Sequence, residues 1–491
     1  MMNKKCRRLL IASAGCLLTA AWLLLLCSQC SPLFPTNVWG DANCLLTVGR
    51  VMRSGGVLYR DIYEQKGPTL YLIHAIAAMI DGGSFFGVYV MEVLSLAAAL
   101  FAAFKILRAR LCMRGSLAGV VLLGAGLLVC TAFMQGDSAE EFCLPYLLGA
   151  LYAMTACLAE DGTMRPRALF ACGLAAGMVA TIKYSILGLF VGLCLAEGVA
   201  ALRAGGMQRA LRSAGVFLSG MLLPIALWVV YFAENGAMGD FYTAYIYNNI
   251  FLYDAQEGLS AAAAAKAVLH YLADNALWVV PAALGVVCTA LDRGMRGQAR
   301  LGVLLAAACS VLAVCFLGRL WVYCPLVLGV FAVFGLRALL ERFAVFMTAR
   351  GRLWYRRGTL PACAALALAL ALFASPNAYL RGEKMENLAQ HRLAQHIPAG
   401  ASLLQYSHLD DGLYLAADTL PQQKYFVRLN VAYDDMRAEL DRYAAEAIPE
   451  YVLVSWRPLP EQFDRYQLIA EDAGYDDEGR VNKALYLYRR K

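Results

Sequence analysis

Apolar residues along this chain gather into runs close to the roughly 18–25 residues that an α-helix needs to cross about 30 Å of hydrocarbon. The runs lie at roughly 9–29, 84–107, 115–134, 141–159, 168–181, 184–202, 211–233, 267–290, 299–317, 320–340 and 359–375, about eleven in all. After residue 376 the pattern changes: apolar runs shorten, and charged and amide residues become frequent. There "ENLAQHRLAQHI" and "YDDMRAELDRYAAEA" read as helices, and "ASLLQYS" and "EYVLVSW" as strands. "YQLIAEDAGYDDEGRVNKALYLYRR" reads as a hairpin that turns near Asp477–Gly479. The pattern predicts a polytopic α-helical membrane region over 1–376 and a small soluble α/β domain over 377–491.

The polar segments between the runs alternate in sign. "MMNKKCRR", "RARLCMRG", "EDGTMRPR", "RAGGMQRALR", "DRGMRGQAR" and "ERFAVFMTARGRLWYRRG" are rich in Lys and Arg, whereas "MQGDSAEE" and "ENGAMGDFYTAYIYNNIFLYDAQEG" have neither. The positive-inside rule makes the basic set cytoplasmic. The N-terminus is then inside, and the loops at 31–83 and 234–262 and the C-terminal domain are outside the plasma membrane. The first run, with an apolar core from Leu9 to Leu26, is long for a signal peptide and reads as an uncleaved span.

Composition narrows the chemistry. The chain is 60% hydrophobic and 16% charged, against about 45–50% and about 25% in a soluble protein. Each charge near the membrane is therefore a placed one. The cytoplasmic segments are too short for a nucleotide-binding domain, and the phosphate-loop, dinucleotide and H-E-x-x-H signatures are absent. Most of the 16 cysteines stand singly in apolar runs as small hydrophobes. Cys27 and Cys30 have C-x-x-C spacing without the βαβ context of a redox site. The acid pairs "LDDG", "YDDM" and "YDDE" read as solvated turn or helix residues.

Chemistry-bearing residues collect on the outer side. In "WGDANCLLTVGRVMRSGG" a helical face aligns Asp41, Leu45, Val48 and Met52. This predicts a short helix lying on the membrane, with Asp41 either turned to its apolar side or capping its first turn. "YRDIYEQKGPTLYLIHA" follows with Arg60, Asp61 and Lys66, then a second short helix started by Gly67-Pro68. Lys66 is either a headgroup anchor or a site cation. "MQGDSAEEFCLPY" sets Asp137, Glu140 and Glu141 at the mouth of a span, "TIKYS" sets Lys183 at a bend, and "FLGRLWVYCP" sets Arg319 in a tight turn before Tyr323. Charge in such places faces a cavity or a partner. Tyr242, Tyr245, Asn249 and Tyr253 share a helical face, as an aromatic belt or as a stacking platform.

The outer Asp before an amphipathic helix, then "YRDIYEQKGPTLYLIHA", resembles the first outer loop of the GT-C glycosyltransferases, in particular glycosyltransferase family 39. That family holds the protein O-mannosyltransferases and the bacterial lipid A aminoarabinose transferases. "KGP" is similar to their Lys-Pro-Pro or Lys-Gly-Pro element and "GDSAEEFCLPYLLGALYAM" to their second acidic segment. "GRLWVYCPLVLG" resembles a later outer turn that often carries His-Tyr; here Trp321, Val322 and Tyr323 stand there and the His is missing. The likeness covers most of residues 9–340, and the C-terminal domain matches only in its placement.

The resemblance implies an inverting transfer from a polyprenyl-phosphate-linked sugar to a glycan, lipid or protein acceptor, without nucleic acid. Asp41 is then the base, with Asp61, Glu140 and Glu141 as its substitutes. Lys66, Lys183 and Arg319 face the phosphate. Arg60, Asp61, Tyr245, Asn249 and Tyr323 contact substrate. Glu140 and Glu141 orient the acceptor, or Glu140 holds a divalent metal ion with Asp41. The alternative is a sugar or lipid transporter or flippase, which would account for intramembrane charges such as Glu92. It does not account for the one-sided polarity, and no pair of related halves is visible. A third reading is a scaffold that kept the fold and lost the chemistry.

Overall fold

The structure is a computed structural model and describes residues 3–252, 261–316, 321–353, 355–476 and 479–491. Its helical part comprises α1 (Lys4–Cys27), α2 (Gly40–Arg53), α3 (Pro68–Ile80), α4 (Phe86–Arg108), α5 (Met113–Val129), α6 (Ala139–Glu160), α7 (Pro166–Lys183) and α8 (Gly188–Glu234). A short α9 (Met238–Phe241) runs into a π-helix, Tyr242–Leu252. Then come α10 (Ala261–Asp274), α11 (Ala276–Leu291), α12 (Gly297–Phe316), α13 (Ala332–Ala349) and α14 (Tyr355–Phe373). Within the described residues each apolar run read from the sequence is helical over most of its length. Runs 184–202 and 211–233 are the two legs of α8, which breaks at Gly205–Gly206.

Among the described residues eight helices are long and apolar enough to cross a membrane, or nine if α10 and α11, bent by 97°, count as one. This is a multi-pass membrane protein. The difference from about eleven runs is one of length: α5 has 17 residues, and α8 counts once despite its break. The legs of α8 part company below that break. Gly188 and Gly192 of the first press on α12, while Gly220 of the second presses on α7.

After α14 the chain forms α15 (Ala389–Ala394), β1 (Leu403–Gln405), α16 (Leu413–Ala416), α17 (Asp434–Ala445), β2 (Tyr451–Ser455), β3 (Tyr466–Tyr475) and β4 (Val481–Arg490). The strands order as β1-β2-β4-β3. β1 and β2 pair parallel, and the β3–β4 hairpin joins β2 antiparallel. Every residue of β2 is buried, as a central strand requires.

The first loop departs from expectation. α2 is not an exposed surface helix: ten of its 14 residues are buried. One side packs on α3, where Gly49 faces the His74 backbone. The other side carries the C-terminal part. Thr47 donates to Asp410 at 2.7 Å, the Asp410 N–H donates to the Cys44 sulfur, and Arg50 donates to the carbonyls of Tyr414 and Thr419. A Cβ on Gly40 would stand 2.9 Å from that of Leu409, so the start of α2 tolerates no side chain there. α2 thus lies between α3 and the segment of the C-terminal part around Leu409–Thr419.

Candidate active site

Where α2, the α3 entry, α6, α7 and the C-terminal part meet, they enclose a cavity of about 650 Å³. Asp41 lies in the first turn of α2. It does not cap the helix: Trp39 holds the cap position, and no side-chain cap bond forms. Asp41 accepts instead from the Lys66 ammonium at 2.9 Å. Lys66 also reaches Glu64 Oε1 at 3.4 Å, and its main-chain N–H donates to Glu64 Oε2 at 2.9 Å.

Glu64 is 1% exposed and Lys66 16%, so Lys66 is not a headgroup anchor. Burial opposes its charge, but Asp41 and Glu64 outweigh burial and hold the ammonium well above its ordinary pKa. The local fold fixes this lysine. Tyr59, at φ +66°, donates its hydroxyl to the Lys66 carbonyl at 2.5 Å. Gly67 N–H donates to the Ile182 carbonyl, and a Cβ on Gly67 would lie 2.2 Å from the Thr181 oxygen. Only glycine lets the α3 entry come this close to the end of α7.

A second pair stands on another wall. Lys183, the last residue of α7, donates to Glu140 Oε1 at 2.6 Å and lies 4.9 Å from the centre of the Tyr323 ring. Tyr323 meets Trp39 edge-on, 5.5 Å between ring centres. That contact ties the second wall to the start of α2. Tyr245 and Asn249 line the cavity from the π-helix. They give their polar groups to the protein, the Tyr245 hydroxyl to Ala180 O and the Asn249 amide to Gln65 O. Tyr242 points outward, since the π-helix does not keep the 3.6-residue period of an α-helix. Arg319 and Tyr253 fall outside the described residues.

Three expected site residues stand apart from the cavity wall. Arg60 and Asp61 pair with each other, each about two-fifths exposed, and Arg60 donates to the Asn235 carbonyl. Glu141 turns inward beneath the site. There the Asp137 N–H donates to Glu92 Oε1 at 2.9 Å and to Glu141 Oε2 at 3.2 Å. His74 Nδ1–H donates to the Leu70 carbonyl, so its Nε2 shares a proton with Asp137 at 2.7 Å. Burial pushes the Asp137 carboxyl up against the pull of His74. This interior cluster joins α3, α4 and α6 and does not line the cavity.

The sequence reading missed Glu64 and the ceiling. His408, Leu409, Leu429 and Asn430 close the cavity from the C-terminal part. His408 Nδ1 has no partner among the described residues. Burial and then the Lys483 ammonium hold its pKa below the usual imidazole value, against Asp411 and Asp41. Nor is "LDDG" a solvated turn. Asp410 is fully buried, and Asp411 is buried against Lys483 and the Ser455 hydroxyl. Glu64 had a visible signal in its position two residues before Lys66. His408 had none.

Asp41 and Glu140, the pair on which a divalent ion would rest, each close on a lysine. No group of three His, Cys, Asp or Glu converges among the described residues. Cys27 and Cys30 are both free and buried.

A sequence model of the family described as "Putative competence-induced protein Ccs4 N-terminal domain" matches residues 2–272, more than half of the chain. The chain belongs to this family. The matched part of the Ccs4 family domain contains Asp41, Glu64, Lys66, Glu140 and Lys183. No curated protein matches. Among solved structures the chain is similar to ArnT from Cupriavidus metallidurans bound to undecaprenyl phosphate, with TM-score 0.62 and 14% identity over 97% of each chain. Apo ArnT gives 0.60, also at 14% identity over 97% of each. This member of the Ccs4 family therefore has the GT-C fold that its first outer loop resembles.

Proposed function

We propose that the protein is a membrane glycosyltransferase. It moves a sugar from a polyprenyl-phosphate donor to an acceptor on the outer side of the membrane. The observation that carries this is the Asp41–Lys66–Glu64 cluster, with Glu64 buried and the other two half-buried, on the wall of a cavity roofed by the C-terminal part. The undecaprenyl phosphate bound by ArnT, whose fold this chain shares, supports the donor class. The Lys/Arg asymmetry of the loops supports an outer cavity, where nucleotide sugars are absent and a lipid-borne donor is needed.

In this reading Asp41 takes the proton of the acceptor hydroxyl as that oxygen attacks the anomeric carbon. The bond from that carbon to the phosphate oxygen breaks with inversion, and polyprenyl phosphate leaves. An ammonium has three donors. Lys66 uses two on Asp41 and Glu64, and the third serves the leaving phosphate, which needs cations more than an acid. As Lys66 shifts toward the phosphate, Asp41 becomes a better base. Lys183 adds a second cation.

The test uses full-length protein in liposomes with undecaprenyl phosphate that carries a labelled sugar. Label should leave the lipid for an acceptor from the source membranes without any ion gradient. Label that only changes leaflet would mark a transporter and sink the proposal.

A further inference from the structure

One residue of the ceiling meets the cavity with its side chain unbonded. His408 lines the cavity. Its Nδ1 is shut from solvent without a partner, and Nε2 makes no hydrogen bond either among the described residues. The main chain around it is held on both sides. The Ser407 hydroxyl accepts from the Ser455 N–H at 2.7 Å, the His408 carbonyl accepts from the Arg428 N–H at 3.2 Å, and the Asp410 N–H donates to the Cys44 sulfur at 3.3 Å. Buried polar atoms are nearly always paired in folded proteins, so a ring left unpaired on a fixed main chain marks a place where a ligand makes the bond.

Its place is beside the proposed base. Leu409 follows His408 in the chain, and Asp41 follows Gly40. A Cβ on Gly40 would stand 2.9 Å from that of Leu409 and 3.5 Å from the Asp410 carbonyl oxygen. That contact brings His408 and Asp41 to the same part of the cavity, which both line. Lys66 and Lys183 already give the phosphate two cations, and burial and the Lys483 ammonium favour the uncharged ring. A neutral imidazole has one N–H that donates and one nitrogen that accepts. A hydroxyl does both, so it suits the ring in either tautomer, whereas an isoprenoid chain does neither.

We infer that His408 binds the acceptor: its ring hydrogen-bonds a hydroxyl of the acceptor and sets the attacking oxygen beside Asp41. The proton still passes to Asp41, and the donor phosphate stays with Lys66 and Lys183. This rests on the glycosyltransferase reading, and it gives the C-terminal part a direct share in the site.

The experiment follows transfer from undecaprenyl phosphate that carries a labelled sugar, by full-length protein in liposomes, against graded amounts of an extract of the source membranes. His408→Leu should raise the half-saturating amount of extract by about two- to ten-fold and change turnover at saturation far less. It should melt no lower than wild type, since the ring has no hydrogen bond to lose. His408→Asn or His408→Gln, whose amides also donate and accept, should recover part of the loss. Binding of bare undecaprenyl phosphate should be unchanged in all three. Wild-type dependence on extract in the Leu variant would mean that the ring meets only water, and would overturn the inference. So would an equal loss in all three variants, or a parallel loss of undecaprenyl phosphate binding. A wild type that transfers no label at any amount of extract would instead defeat the glycosyltransferase reading, and this inference with it.

Discussion

Asp41 and Lys66 are joined at 2.9 Å in the resting protein. In the proposed reaction the residue that takes the proton is thus already neutralised by the residue that meets the phosphate. The two functions are coupled through one ammonium group.

Asp41→Asn should abolish transfer and spare the fold. The side chain makes no cap bond, so α2 loses little. Glu64 still grips Lys66, so lipid-phosphate binding should stay within a few-fold of wild type. Positioned acid–base groups contribute about 10²–10⁴-fold, and turnover should fall by that much. Wild-type turnover in the Asn variant would remove Asp41 from the chemistry.

Lys66→Met should do two things. It should weaken binding of undecaprenyl phosphate by about ten- to a hundred-fold. It should also lower stability by about 3–5 kcal/mol, because it strands the buried Glu64 carboxylate. Adding Glu64→Gln should restore much of the stability and none of the binding. Thermal melts beside lipid titrations separate the two effects; if the second substitution recovers nothing, Glu64 is not the group left stranded.

Arg50 and Asp418 predict a contrast. The Asp418 side chain is 90% exposed, so its ion pair is screened and Asp418→Asn should cost at most about 1 kcal/mol. Arg50 is 7% exposed and also holds the Tyr414 and Thr419 carbonyls. Arg50→Met should cost about 3 kcal/mol and loosen the C-terminal part from α2. Limited proteolysis after α14 reads this directly: cleavage should quicken in Arg50→Met only. Equal cleavage in both would mean that the carbonyl contacts contribute nothing.

Asp410 predicts a pH dependence of unusual sign. Burial raises its pKa from an ordinary 3.8 to about 6, against the hydrogen bonds from Thr47, Gln405 and Gly412. The folded state therefore holds this proton more tightly than the unfolded chain. Ionisation costs stability in full above about pH 6, and the cost disappears as pH falls toward 3.8. At pH 7 it is about 3 kcal/mol. Asp410→Asn, which never ionises, should melt higher than wild type at pH 7.5, and the gap should close by pH 4. Other groups titrate in both proteins alike, so the difference between them is the observable; a constant gap would refute the assignment.

The alternation of Lys and Arg predicts that Lys491 and Asp41 share the outer side. A reporter active only in the cytoplasm and fused after Lys491 should stay silent. Activity there would reverse the side on which the donor must be supplied.

Hydropathy made the helices legible because each membrane helix carries its own signal over about 20 residues. It could not weigh α2, whose apolar face was visible but whose polar face is buried by a segment around Asp410 that arrives more than 360 residues later. The same distance hides His408 and disguises Asp410, since an acid pair before a glycine looks like a surface turn whatever covers it. Asp41 and Lys66 were each readable as chemistry, yet their bond spans 25 residues with no periodic rule to join them.

The seating of Leu409 against Gly40, with Asp410 on Cys44 and Thr47, sets an order in time as well as in space. Cys44 and Asp410 are made 366 residues apart. At about 5–20 residues per second the ribosome needs roughly 20–70 seconds to travel between them. Throughout that interval Asp41 and Lys66 exist without their ceiling, and no reaction that depends on excluding water can begin. A chain terminated before Leu409 carries the Asp41–Lys66 pair but not the segment that seats on Gly40 and closes the cavity above it.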